Sequence, residues 1–230
     1  RDSYEGVFQC RAFDDISDME SRMYASPASI REYLDADPKK PFILCEYMHD
    51  MGNSLGGMES YIALIDRYEK YQGGFIWDYM DQALWHTDAM GRRVLGYGGD
   101  FNERTTDYNF SGNGIVYGDG SESPKMQEVR YCYQNIVADV QATRATVANR
   151  AMFTPTSAFS CVALLARNGV EIARADLETD VPPGESRTYD LPFPLQTRPG
   201  EYAVTLSFRQ REDTPWAPRG HEVAFSQGVY

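Results

Sequence analysis

The chain has 230 residues, 42% of them hydrophobic and 13% aromatic, enough to bury one large core or two smaller ones. With 34 acidic against 22 basic residues its formal net charge is −12, which argues against a polyanionic partner, because phosphate binding needs clustered Lys and Arg; nucleic acid is not expected. No stretch approaches the roughly 20 apolar residues of a membrane span, and the opening RDSYEGVFQC has neither a signal-peptide core nor a cleavage site.

Cys10, Cys45, Cys132 and Cys161 are far apart and lack CxxC or Cys/His ligand spacing, so they read as reduced, buried thiols of a cytoplasmic protein. Up to about residue 130, short β-like runs alternate with helical patterns, the texture of β/α units around a parallel sheet. The run Phe42 to Cys45 contains no charged side chain and stops at Glu46. Asn53 and Ser54 are candidate caps for a helix with an apolar stripe of Leu55, Met58, Ile62 and Ile65, widened by Leu64 and Tyr68. Gly73 and Gly74 are expected to stop that helix, and FIWDYMDQALW to open the next β-like run. GYGGDF, at 96 to 101, lacks a P-loop Lys and reads as a plain turn.

From about residue 136 the texture changes to period-two alternation, and a second domain begins. In EYAVTLSFRQ, Tyr202, Val204, Leu206 and Phe208 share one face and Ala203, Thr205, Ser207 and Arg209 the other, the pattern of a half-buried strand. Asn168-Gly169 is a two-residue hairpin signal between FSCVALLAR and VEIARADLE, and VPPGES and TRPGEY are further turns. About seven such strands suggest a β-sandwich of immunoglobulin type, without the Cys/Trp/Cys signature of antibody domains.

In a β/α barrel, residues at the C-terminal ends of strands point into the active-site mouth, so Glu46 and the Trp77/Asp78 pair fall where such folds put reactive groups. A carboxylate there acts as acid, base or nucleophile, and Tyr24 and Trp77 offer apolar faces to sugar rings. Position alone leaves plainer readings open: an ion-paired Glu46, a structural His49, a core Trp77, and Asp78 and Asp81 as caps or ion pairs. No metal-ligand cluster is evident.

The stretches ILCEYMHDMGNSLGG, QGGFIWDYMDQAL, YGGDF and NGIVYGDG closely resemble the large β-galactosidases of glycoside hydrolase family 2, from about Ser17 to Lys125, with weaker continuation into the sandwich. The resemblance implies an α/β plus all-β chain: late strands of a TIM (β/α)8 barrel over residues 1–135, about the fifth or sixth to the eighth, then an immunoglobulin-like β-sandwich over 136–230. It implies that Glu46 of the CEY motif is the catalytic nucleophile and forms a covalent galactosyl-enzyme intermediate. Tyr24 would hydrogen-bond that nucleophile, His49 would bind sugar hydroxyls, and Trp77 would line the galactose subsite. Asn113, with the carbonyl of Phe110, would hold the family's sodium ion; without the resemblance Asn113 reads as a turn residue.

The family's acid/base is the Glu of an Asn-Glu pair upstream of the nucleophile, and none occurs in the 45 residues before Glu46. The pair Asn102-Glu103 lies downstream in a polar loop and does not match. The magnesium ligands of the intact enzyme are likewise expected to be absent. A retaining mechanism needs two carboxyl groups about 5 Å apart, so this chain is expected to carry half a site for β-galactosides such as lactose and not to turn over alone. The alternatives are another family 2 glycosidase such as a β-glucuronidase, which would need basic residues for the sugar carboxylate, and a non-catalytic sugar-binding or scaffolding module. An incomplete barrel is expected to leave apolar residues such as Phe42, Leu44, Phe75 and Ile76 uncovered, and so to self-associate or to take up a missing upstream barrel segment.

Overall fold

The computed structural model describes residues 17–230; Cys10 lies outside the described residues. The chain divides into two compact units, with the division between Cys132 and Tyr133. In the first, β1 (Glu20–Met23), β2 (Phe42–Tyr47) and β3 (Tyr71–Ile76) form a parallel sheet in that order, with α1 (Pro27–Asp35) and α2 (Glu59–Arg67) as the crossovers. The start of α1 is written locally: the Ser26 hydroxyl accepts the Ser29 N–H at 3.2 Å, and Pro27 occupies the first turn, where its missing N–H costs nothing.

Two expectations about α2 need correction. The helix starts at Glu59, not at Leu55, and its N-cap, Met58, makes no side-chain cap bond. Leu55 and Met58 are buried in the turn before it, and Ser54 donates instead to Asp50 Oδ1 at 3.1 Å. Nor do Gly73 and Gly74 stop the helix, which has ended by Tyr68; both lie inside β3. Gly73 takes φ +86°, and a Cβ on Gly74 would stand 2.7 Å from the Leu44 Cβ, so the glycines serve an irregular, close approach of β3 to β2.

Strand period two decides which face is covered. Phe42 and Leu44, both 0% exposed, join Ile30 and Leu34 of α1 and Leu64 of α2 in one buried cluster. The expectation that Phe42 and Leu44 stand uncovered is therefore wrong, because the helices occupy their side. The opposite face carries Ile43, Cys45 and Phe75, which line a hollow of about 480 Å³, and Phe75 is 64% exposed.

FIWDYMDQALW is not one run. β3 ends at Ile76, and strand resumes only with β4 (Leu84–Thr87), paired antiparallel to β5 (Arg93–Gly96). Between them Asp78 accepts from Tyr79 N and Gln82 Nε2, and Asp81 Oδ1 accepts the Gly114 N–H at 2.8 Å, so both aspartates hold loops as hydrogen-bond acceptors. The Trp77–Asp78 peptide is cis. GYGGDF is a turn, with Tyr97 N donating to Asp100 Oδ2 at 2.9 Å. A helix the patterning did not single out, α3 (Lys125–Tyr133), follows.

The second unit is β apart from the last residue of α3 and one 3-10 turn at Thr156–Ala158. One antiparallel sheet has the order β10 (Ser186–Asp190), β7 (Arg144–Asn149), β6 (Ile136–Val140); the other has β12 (Glu222–Val229), β11 (Tyr202–Gln210), β8 (Phe159–Arg167), β9 (Val170–Leu177). Both contribute to one core: Ile136 and Val147 from the first, Cys161, Leu165, Val204, Leu206 and Phe208 from the second. Tyr202, Val204, Leu206 and Phe208 are at most 3% exposed, as their alternation predicts. The β8–β9 turn is Asn168-Gly169 with φ +50° and +78°, the doubly left-handed geometry of a type I′ two-residue hairpin turn.

Candidate active site

Three parallel strands deliver their C-terminal ends to one edge of the sheet, and the site residues stand there. Tyr24 follows β1 directly and donates its main-chain N–H to the Glu46 carbonyl at 2.9 Å. Trp77 follows β3 and donates to the Tyr47 carbonyl at 3.1 Å, while its own carbonyl accepts from Asp50 N at 2.7 Å. Tyr24 and Met48 both have φ +53°, so the chain leaves β1 and β2 through left-handed residues that only a well-packed surround maintains.

Phe110 and Asn113 come from far along the sequence. Their loop is laced to the segment after Trp77 by main-chain bonds: Asp78 N to Asn113 O at 2.7 Å, Ile115 N to Asp78 O at 3.0 Å, and Val116 N to Tyr79 O at 3.0 Å. Trp77, Phe110 and Asn113 thereby line one cleft of about 310 Å³, together with Gln82, Glu103, Tyr108 and Ser111. Glu46, Tyr24 and His49 are not among its walls. His49 and Tyr24 connect to it through rings: His49 lies 5.2 Å from Phe110 and 6.0 Å from Tyr24, centroid to centroid.

The polar atoms at this edge are incompletely satisfied. His49 Nε2, Ser111 Oγ and Asn113 Oδ1 are buried without a hydrogen-bond partner, and an unsatisfied buried polar atom costs about 1–3 kcal/mol. Asn113 is 2% exposed and spends its Nδ2 on the Phe110 carbonyl at 3.2 Å, so its oxygen remains available to a ligand. Glu103, by contrast, is engaged: Gly99 and Phe101 donate their N–H groups to it, and these bonds, that from Gly99 foremost, hold its carboxyl below the usual range. Asp50 is 0% exposed; burial raises its carboxyl above the usual range, against the opposing pull of Lys125 and Ser54.

Residues 3–138, more than half of the chain, match the family model described as glycosyl hydrolases family 2, TIM barrel domain. The chain belongs to glycosyl hydrolase family 2. Residues 145–229 match a second model, β-galactosidase domain 4. A β-galactosidase of Halalkalibacterium halodurans is 51% identical over 99% of this chain and 23% of that protein. A β-galactosidase of Clostridium acetobutylicum is 48% identical over 98% of this chain and 25% of that protein. The β-galactosidase large subunit of Latilactobacillus sakei is 64% identical over 56% of this chain and 21% of its own length. The chain thus spans about a quarter of the length of the curated relatives it matches.

In this family 2 chain the first unit is a portion of the TIM barrel domain and the second a β domain. Sequence reasoning passed over two residues of the site edge, Asp50 and Lys125. The Lys125 ammonium donates to the Asp50 carbonyl and, at 3.2 Å, to the Gly114 carbonyl, and lies 3.8 Å from Asp50 Oδ2. Their only sequence signal is an Asp directly after His49, inside the CEY motif stretch, and a Lys at the head of α3, five residues beyond the end of NGIVYGDG and 75 residues from Asp50. No helix among the described residues is long and apolar enough to cross a membrane.

Proposed function

We propose that this chain is a segment of a retaining β-galactosidase in which Glu46 is the nucleophile. Family membership, together with Glu46 near the C-terminal end of the middle parallel strand, is the observation that carries the reading. One Glu46 carboxylate oxygen attacks the anomeric carbon and forms an ester bond there while the bond to the aglycone oxygen breaks, that oxygen taking a proton from the acid/base. Water, deprotonated by the same group, then displaces Glu46 and releases galactose. The acid/base comes from barrel residues beyond this segment, so the chain alone does not turn over, and the open face of Ile43, Cys45 and Phe75 is where the rest of the barrel seats. On this reading Tyr24 orients Glu46, His49 binds sugar hydroxyls through its unsatisfied Nε2, and Trp77 supplies an apolar wall for the sugar.

The implied sodium ion fits what stands at Asn113. Its buried, unpartnered Oδ1 and the neighbouring Phe110 carbonyl are hard oxygen donors of the kind such a cation takes. When bound, the ion supplies a fixed positive charge for a sugar hydroxyl. Magnesium has no comparable support: no group of three or more His, Cys, Asp or Glu side chains that could hold a metal occurs among the described residues, and no step is assigned to it. The two-sheet β unit follows the immunoglobulin-like arrangement in this reading, and the buried thiols of Cys132 and Cys161 support a reducing, cytoplasmic setting.

The test uses the full-length enzyme. It should release nitrophenol from the β-galactoside and not from the β-glucuronide, and a 2-fluorogalactoside should label Glu46. Glu46→Gln should keep galactose binding and lose turnover by orders of magnitude. A label on Asp78 or Glu103 overturns the assignment.

A further inference from the structure

We infer that Asp50 and Lys125 form a positioning device that fixes His49, Trp77 and Asn113 relative to one another, and so sets the affinity of the sugar site. The inference rests on the β-galactosidase reading. Its basis is which atoms the ammonium holds. The Lys125 donors go to the carbonyls of Asp50 and Gly114, the residues immediately after His49 and Asn113. Asp50 in turn donates its N–H to the Trp77 carbonyl at 2.7 Å. The cation therefore joins directly the two segments beside His49 and Asn113, and the Asp50 main-chain N–H ties the first of them to Trp77.

Three features argue that the pair exists for geometry. A buried charge pair is a poor source of stability, since apolar residues of the same volume commonly do as well, yet here Asp50 is 0% exposed and the Lys125 side chain only 16%. Lys125 also opens α3, the helix end where the backbone dipole disfavours a cation, so helix stability does not place it there. The base from which it reaches is itself fastened: the Ser123 hydroxyl donates to the Ile115 carbonyl at 2.6 Å and accepts from Lys125 N at 3.3 Å. The far side is fastened too, by Ser54 on Asp50 Oδ1.

The experiment measures galactose affinity by calorimetry and the sodium midpoint for activity on full-length enzyme, in wild type, Lys125→Met and Asp50→Asn. Lys125→Met should weaken galactose about tenfold or more and raise the sodium midpoint by a similar factor, because small displacements of binding groups are costly. Asp50→Asn, which keeps the shape, the main-chain bonds and an acceptor for Ser54, should shift both in the same direction by a smaller factor. Should Lys125→Met fail to fold, Asp50→Asn decides alone. A purely structural role would reduce the amount of active enzyme and leave the affinity and midpoint of the folded fraction unchanged. Values within twofold of wild type in the folded variants overturn the inference. Failure of the underlying reading looks different: wild type itself would neither bind galactose nor respond to Glu46→Gln.

Discussion

Gly114→Ala tests whether the loop carrying Asn113 is as tightly held as its geometry implies. A Cβ at Gly114 would stand 2.1 Å from Asp81 N, 2.3 Å from the Val116 carbonyl oxygen and 2.5 Å from the Met80 carbonyl carbon. Ordinary contact begins near 3.5 Å, so the overlap exceeds an ångström, and every atom it meets is main chain that no rotamer change can withdraw. Relief requires the 111–116 loop both to change shape, because Val116 lies on it, and to move off the 78–82 segment, which endangers the bond from Gly114 N to Asp81 Oδ1 at 2.8 Å and that from Asp81 N to Val116 O at 3.1 Å. Overpacking of this kind costs about 1–3 kcal/mol, which corresponds to roughly 5- to 150-fold faster local opening. Hydrogen exchange read by mass spectrometry over residues 111–118 measures that acceleration, and the galactoside KM of the full-length enzyme should rise with it as Asn113 is displaced. Gly56→Ala, which meets no atom within 4 Å, is the control. Exchange and KM equal to wild type in Gly114→Ala would refute the argument that backbone crowding positions Asn113.

In the full-length enzyme, Asn113→Ala should abolish or strongly weaken the sodium dependence of galactoside hydrolysis, and an unchanged sodium titration would remove Asn113 from the site. A thiol reagent should modify Cys45 of this 230-residue chain quickly and Cys161 and Cys132 slowly, since burial pushes Cys161 up to about 12 and Cys132 up to about 11, while Cys45 lines the open sheet face. In the full-length enzyme Cys45 should become protected; equal labelling there would contradict seating of the barrel on that face. Leu206→Ala, which removes a 0% exposed core side chain, should destabilise the β unit by about 2–5 kcal/mol in denaturant titration, and a loss under 1 kcal/mol would mean the site collapses without a cavity.

Much of the architecture is legible from local physics. Alternation over Tyr202 to Phe208, the Asn168-Gly169 turn and the apolar run ending at Glu46 each depend on neighbours within a few residues, and the sequence states them directly. The motifs around Glu46, His49, Trp77 and Asn113 likewise identify the family from the chain alone. Errors appear where a residue's role is set by a distant partner. Gly73 and Gly74 look like helix terminators until β3 is laid against β2, where the Leu44 Cβ leaves no room for a side chain. Ser54 looks like a helix cap until the buried Asp50 carboxylate is beside it.

Which apolar residues are covered was likewise undecidable from hydrophobicity, since Phe42, Ile43 and Leu44 are equally apolar and differ only in the side of the sheet they face. The helices cover one side, and period two assigns Phe42 and Leu44 to it. The candidate site follows the same division. Its residue types and order were determined by the sequence: a carboxylate at a strand end, a histidine three residues on, a tryptophan after the next strand. That Asn113 stands against Trp77, and that Lys125 reaches Asp50 across 75 residues, was decided only by the tertiary structure. Hydrogen bonds between segments so far apart in the chain leave no periodicity to read, and they form only once packing has brought the two segments together.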